Sequence, residues 1–206
     1  MAEGPARCAW CGDDPAYVRY HDTEWGVPVV DDDRLFEKLA LEGFQAGLSW
    51  RTILHKRQRF REVFAGFSIA SVARFAAADV ERLLSDPGIV RHRGKIEATI
   101  ENARLAERLQ DEAGSLAAFV WSFEPDPSTR PERFDDATLA ALTTSPAAAA
   151  LSRTLKARGW RFVGPTTVYA FMQAMGLVND HHEACWRRAP VAALRRDLAR
   201  PVPTGP

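Results

Sequence analysis

Apolar residues recur at helical spacing along almost the whole chain, and no stretch alternates convincingly as a strand would. The first strong pattern covers residues 33 to 46. Asp31, Asp32 and Asp33 offer caps at a helix start, and Leu35, Leu39 and Ala46 define an apolar face. Glu42 follows Leu39 by three residues, so a carboxylate falls on that same face. A second helix is predicted near residues 50 to 64, with a basic surface in "HKRQRFR". Asp79 can cap a short helix through "VERLL", which stops at "SDPG". A long helix follows in "RHRGKIEATIENARLAERL", with Ile96, Ile100, Ala103 and Ala106 along one stripe. "FEPDPSTRPERFDD" reads as a loop or a link between lobes. Ser145 as cap, Pro146 at the first helical position and Gly159 past the end punctuate the next helix. After the tight turn "WRFVGP", another helix starts at about Pro165, with Val168, Phe171, Met172 and Met175 inward. Residues 146 to 176 thus form a helix, a glycine-containing hairpin and a helix. The tail from Arg187 is basic, then proline-rich, and is expected to fray.

Composition narrows the class. The 206 residues suffice for one domain, or two small lobes, with an ample core, and 46% hydrophobic content excludes a disordered chain. No apolar run approaches the roughly 18 residues of a membrane span, and "MAEGPARCAW" lacks a signal core. These features predict a cytosolic protein without membrane contact. The net charge is zero, so any nucleic-acid binding must use local patches.

Three cysteines, Cys8, Cys11 and Cys185, do not make a disulfide framework; an odd count points to free thiols or a metal. If "NDHHEAC" is helical, His181 and Cys185 emerge on one face and can chelate one ion. The N-terminal segment supplies Cys8, Cys11 and His21. Two ligands from each end would close a tetrahedral zinc site that staples the termini together. Spacing leaves the ligands open, because Cys8 and Cys11 form a C-x2-C pair and His182 adjoins His181. Buried thiols and surface histidines without metal are the plain alternative.

The hairpin offers a second chemistry. Backbone N–H groups around Gly164, at a helix start, can bind a phosphate without net charge, although an ordinary helical hairpin has the same pattern. The third is a pocket. Trp10, Tyr17, Tyr20, Trp25 and Trp50 crowd the N-terminal region, and Glu42 lies close in sequence to Trp50. Aromatic faces attract cations and a carboxylate accepts from an amine edge, so the set suits a flat, electron-poor or cationic group. The alternative for Glu42 is a buried ion pair, with an arginine for example, or a helix bend that leaves it wet.

Four segments carry a family resemblance: "YHDTEWGVPVVDDDRLFEKLALEGFQAGLSW", "GIVRHRGKIEATIENA", "FVWSF" and "RGWRFVGPTTVYAFMQAMGLVNDH". In this order, over roughly residues 7 to 186, the chain resembles the 3-methyladenine DNA glycosylase I family. The resemblance implies an all-α helix-hairpin-helix glycosylase fold, one domain of two lobes over residues 1–186, with a zinc joining the termini. It implies Cys8, His21, His181 and Cys185 as zinc ligands, leaving Cys11 and His182 spare. It places Glu42, Tyr20 and Trp50 around an extruded methylated base, with Trp10, Tyr17 and Trp25 lining or supporting the slot. The reaction implied is hydrolysis of the N-glycosidic bond of 3-methyladenine in double-stranded alkylated DNA. N3-methylation leaves the adenine cationic and the bond weakened, so Glu42, the one residue given a catalytic role, needs only to read the amine edge. Asp180 is not assigned a catalytic role, and no lysine follows Lys156, so no lyase amine is evident near the hairpin.

Gly164, Arg91 and Arg93 are expected to meet phosphates, and a monomer is expected because no amphipathic seam is left over. A zinc-stapled DNA-binding module without catalysis leaves Glu42 unexplained. A nucleosidase acting on free nucleosides is disfavoured by the hairpin and by the basic stretches His55 to Arg61 and Arg91 to Lys95.

Overall fold

Acidic caps decide where several helices begin. The computed structural model describes residues 4 to 204. A 3-10 turn at Ala9–Cys11 leads to α1, Pro15–Thr23, whose start is capped by the Asp14 carboxylate accepting from the Ala16 and Tyr17 amides. α2 spans Asp32–Gln45 and α3 Trp50–Val63. The run Asp31 to Asp33, which reads as three caps for one helix, is shared among three. Asp31 caps α2 through the Arg34 amide. Asp33 accepts from Ile69 N at the start of α4, Ile69–Val72. α5 covers Ala77–Ser85, with Asp79 bonded back to the Ala76 amide, and α6 covers Arg93–Ala113. Asp32 accepts from the Leu116 and Ala117 amides that open α7, Leu116–Trp121. α8, Asp136–Ala141, and α9, Pro146–Ala157, follow, the latter capped by Ser145. α10 runs Pro165–Ala174 and α11 Arg188–Asp197. The described residues form helices, turns and loops with no strand, as the periodicity predicts, and no helix is long and apolar enough to cross a membrane.

α2 is the axis of the molecule. It packs against α3, α6, α7 and α10, and every residue from Leu35 to Phe44 is buried. It therefore has no solvent face over those nearly three turns. The sequence reading of an amphipathic helix is corrected on this point: Glu37, Lys38 and Glu42 are buried too, and Ala46, placed on the apolar face, lies exposed just past the helix end. Burying three charges in one helix demands partners for each.

The tail also departs from expectation. Instead of fraying, residues 188 to 197 form α11, with Val191 fully buried against Gly26. Arg195 donates to the Gly176 carbonyl and to Glu124, and Arg200 donates to Glu124 as well. Two arginines on one carboxylate hold a segment whose composition alone reads as disordered.

Candidate active site

α1, α2, α3 and α10 converge on a cavity of about 260 Å³ lined by Trp10, Tyr17, Tyr20, Trp25, Glu42 and Trp50. All six residues predicted to bind a base therefore meet in one place. Their rings brace one another: Trp10 stands edge-on to Tyr17 at 5.4 Å and to Trp25 at 5.0 Å, and Tyr20 is tilted on Trp50 at 5.4 Å. The Trp50 indole N–H is buried without a partner among the described residues.

The Glu42 carboxylate is buried at the cavity wall, and its partner is Lys38, one turn earlier on α2, at 2.6 Å. The pair anticipated as one alternative is thus present, but with a lysine in place of an arginine. Lys38 Nζ also donates to the Tyr20 hydroxyl at 2.9 Å and lies 3.2 Å from the Trp50 ring centroid. An ammonium has three donors, and here a carboxylate, a phenol oxygen and an indole face account for all of them. Burial pushes the Lys38 ammonium below its ordinary pKa, opposed by Glu42. Burial, with Glu42 nearby, raises the Tyr20 phenol well above its usual value. Lys38 was missed from the sequence, although its spacing to Glu42 is the i, i+4 spacing of a helical ion pair.

Two more carboxylates near the aromatic slot are neutralised in the same way. Glu24 binds Arg57 with both oxygens at 2.6 and 2.7 Å, and Glu37 binds Arg61 at 2.8 Å. Asp180 also lines the cavity. It accepts from Tyr169 at 2.6 Å, from Gln173 at 2.9 Å and from Arg130, so both its oxygens are committed. Arg130 comes from the proline-rich link between Trp121 and Asp136, whose composition signals only a connection.

The basic stretch from His55 to Arg61 does not form the open cationic patch that its composition suggests. His55 bonds Asp14, Arg57 bonds Glu24, Arg59 bonds Glu62 and Asp86, and Arg61 bonds Glu37. Lys95 is buried and donates to the Phe44 and Ala46 carbonyls, tying α6 to the end of α2. Arg93 pairs with Glu81 at 2.8 Å and Glu97 at 3.6 Å. Arg91 is exposed and makes no ion pair among the described residues.

The hairpin between α9 and α10 is pinned beside these groups. The Asn102 side chain accepts from Arg161 N and donates to Arg161 O, both at 3.0 Å. Phe162 takes a left-handed backbone with φ 57°, uncommon for a bulky residue. Gly43 allows its approach, since a Cβ there would lie 3.2 Å from Phe162 Cβ. Gly164 then caps α10, whose first residue, Pro165, has no N–H to satisfy.

Against Trp10 and Trp25, outside the cavity lining, Cys8, His21, His181 and Cys185 bring their ligand atoms within 4.8 Å of one another, all buried. Cys8 Sγ lies 3.5 Å from His181 Nδ1, and Cys185 Sγ lies 3.4 Å from His21 Nε2 and 3.5 Å from His181 Nδ1. A tetrahedral zinc with Zn–S of about 2.3 Å and Zn–N of about 2.0–2.1 Å has S···N edges of roughly 3.5 Å. The donor set therefore fits such an ion. The outer ring nitrogens are held as metal-bound imidazoles require: His21 Nδ1 by Asp22 at 2.8 Å, His181 Nε2 by the Trp25 carbonyl at 3.1 Å. Cys11 and His182 stay outside the cluster, so distance decides what spacing left open. The helical path assumed for "NDHHEAC" is corrected: residues 179 to 187 are irregular loop with turns at 183–184 and 186–187, and it is the chain's folding back that faces His181 with Cys185.

An all-helical fold, an aromatic slot with a buried carboxylate and a turn-linked helix pair beside it define a class, and sequence comparison agrees. The sequence model for methyladenine glycosylases matches residues 10–188, and the chain belongs to that family. Among its relatives, DNA-3-methyladenine glycosylase 1 of Escherichia coli is 49% identical over 180 residues, covering 87% of this chain and 95% of that protein. DNA-3-methyladenine glycosylase of Haemophilus influenzae is 43% identical over 87% of this chain and 96% of its own length. The fold matches a crystal structure of 3-methyladenine DNA glycosylase I with a TM-score of 0.80 at 49% identity, over 88% of this chain and 98% of the other. A variant of such an enzyme crystallised in complex with 3-methyladenine matches with a TM-score of 0.81 at 37% identity, over 88% of this chain and 97% of the other.

Proposed function

We propose that this protein is a DNA-repair glycosylase that hydrolyses the N-glycosidic bond of 3-methyladenine in alkylated double-stranded DNA. The observation that carries the reading is the aromatic cavity with Glu42 at its wall, in a chain of this family. A base inside a duplex is out of reach, so the lesion is extruded into the cavity. Tyr20 and Trp50 stack on it, and Glu42 accepts from its amine edge. The C1′–N9 bond breaks with both electrons going to the base, which leaves as neutral 3-methyladenine. Water adds to the sugar carbon and gives a proton to solvent, leaving an abasic site.

The helix-hairpin-helix unit formed by α9 and α10 holds the duplex through backbone N–H groups near Gly164, with Arg91 on a phosphate. Arg93 is the weaker phosphate candidate, because its half-exposed guanidinium already pairs with Glu81 and Glu97. Cys8, His21, His181 and Cys185 hold one structural zinc. Four protein ligands leave no open position, so the ion would supply rigidity between the chain ends and no chemistry.

The experiment is release of 3-methyladenine from methylated duplex, set against free methylated nucleoside. Release from duplex alone is expected; release from the nucleoside alone would mark a nucleosidase. The reaction is expected to leave no borohydride-trapped enzyme–DNA adduct. A lyase amine must be free to attack the sugar carbon, whereas Lys38, the amine at the cavity, is committed to Glu42, the Tyr20 hydroxyl and the Trp50 face.

Two substitutions test parts of the site. Trp50→Ala should weaken 3-methyladenine binding by about ten- to a hundredfold, since base–aromatic stacking is worth roughly 1–3 kcal/mol. Fluorescence or calorimetric titration reads this, and an unchanged affinity would remove Trp50 from the slot. Arg91→Ala should weaken binding to any duplex and make the salt slope shallower by about one. Arg93→Ala should change that slope much less, because Glu81 and Glu97 already hold its charge. Anisotropy titrations across a salt series compare the two, and equal slopes would restore Arg93 as a phosphate ligand.

A further inference from the structure

The base slot already holds a cation before any ligand arrives. Lys38 Nζ sits 2.6 Å from Glu42 Oε1, 2.9 Å from the Tyr20 oxygen and 3.2 Å from the Trp50 centroid. These three groups are the ones that would otherwise attract a positively charged base. Lys38 is only 5% exposed and is fixed in the middle of α2, enclosed on every side. The charged groups around it cancel: Glu42 with Lys38, Glu24 with Arg57, Glu37 with Arg61, Asp180 with Arg130. A cationic base therefore enters a slot with no net charge and with an ammonium on the face of its stacking partner.

We propose that Lys38 is a specificity-determining residue that tunes the slot to 3-methyladenine after its positive charge has left, and against the cationic methylated adenine still joined to the sugar. The inference rests on the substrate proposed above. As the C1′–N9 bond breaks, both electrons pass to the base, which loses its charge, and the charge appears on the sugar at C1′ and its ring oxygen. Water then adds there and releases a proton to solvent. Repulsion from Lys38 is greatest in the bound ground state and falls as the charge moves away. An interaction that disfavours the ground state more than the transition state lowers the barrier. Glu42 keeps its hydrogen-bonding role towards the amine edge throughout, since a carboxylate has lone pairs beyond the one taken by Lys38.

The test compares two ligands on wild type, Lys38→Met and Lys38→Arg at mildly alkaline pH. One ligand is neutral 3-methyladenine. The other is 3,9-dimethyladeninium, a fixed cation with a methyl group where the sugar would be. Wild type should bind the neutral base more tightly. The affinity ratio of cation to neutral base should rise about tenfold or more in Lys38→Met, of the order of one charge-assisted contact. In Lys38→Arg, which keeps the charge, it should stay within about twofold of wild type. Single-turnover release from methylated duplex should show KM and kcat falling together in Lys38→Met, a split that simple loss of structure would not produce. An unchanged ratio in Lys38→Met overturns the proposal. If that variant does not fold, wild type alone decides, because tighter binding of the fixed cation than of the neutral base also overturns it. Wild type that releases no 3-methyladenine from duplex would refute the enzymatic reading itself, whatever the Lys38 variants do.

Discussion

Glu42→Gln is expected to lose about ten- to a hundredfold in affinity for free 3-methyladenine, because a hydrogen bond to a charged group is worth roughly 1.5–3 kcal/mol. Glutamine keeps the shape and one acceptor oxygen, but it adds a donor amide and leaves Lys38 without its counter-ion. Removing one member of a buried pair costs about 3–5 kcal/mol of stability, so the variant should also melt earlier. The cost should depend on pH. Burial already lowers Lys38 below its ordinary value of 10.5, and Glu42 is the main group opposing that. Without Glu42 the folded-state value falls further while the unfolded value stays. Between the two values the unfolded chain binds more protons, so stability rises with pH there. Glu42→Gln should therefore recover stability as the pH climbs towards 10.5, over a wider window than wild type. Binding to undamaged duplex should barely change, since the proposed phosphate contacts lie elsewhere. Calorimetric titration of 3-methyladenine into both proteins decides the point: equal affinities would make Glu42 solely the partner of Lys38.

Removing the metal is the second large effect expected. Purified protein should carry about one zinc per chain, and strong chelation should lower its melting temperature by about 10 °C or more. A ligand present at a thousandfold its Kd stabilises the native state by about 4 kcal/mol, and each kcal/mol is about 2–4 °C for a chain of this size. Without metal, burial pushes the Cys8 thiol up to about 12. Zinc must therefore displace protons from thiols, and binding should release them to buffer. Burial also depresses His181 from 6.5 to about 4. Its folded value lies below its unfolded one, so the unfolded chain binds the proton first. This contribution is complete above 6.5 and is lost as the pH falls from 6.5 to about 4. Protonation of the imidazole opposes zinc in the same direction. His181→Ala should lower folded yield sharply while base release per folded molecule stays within about threefold, because the proposed ion would close the fold without touching the base. Metal-free protein with undiminished thermal stability would end the zinc assignment.

Local sequence signals determined most helix boundaries. Ser145 and Pro146 start α9, Gly159 ends it with φ 93°, and Pro165 starts α10, because caps and proline act within a turn of their own position. The resemblance named the cavity residues, and all six meet there. What the sequence left open depended on groups far apart in the chain. Asp31 to Asp33 cap three helices because their acceptors face whichever amides packing brings near. The cations of residues 55 to 61 read as a DNA surface, but carboxylates flanking α1 and within α2 take up several of them. Cys11 and His182 had spacing as good as that of Cys8 and His181, and only three-dimensional distance excluded them. α11 reads as a loose basic tail until Glu124 and the Gly176 carbonyl are placed against it. Glu42 shows the division within one residue. Its position on a helix, one turn after Lys38, was written in the sequence. That α2 is enclosed on every side, so the two charges must neutralise each other beside Trp50 and Tyr20, was decided by the helices packed around it, since desolvation depends on neighbours that no local pattern names.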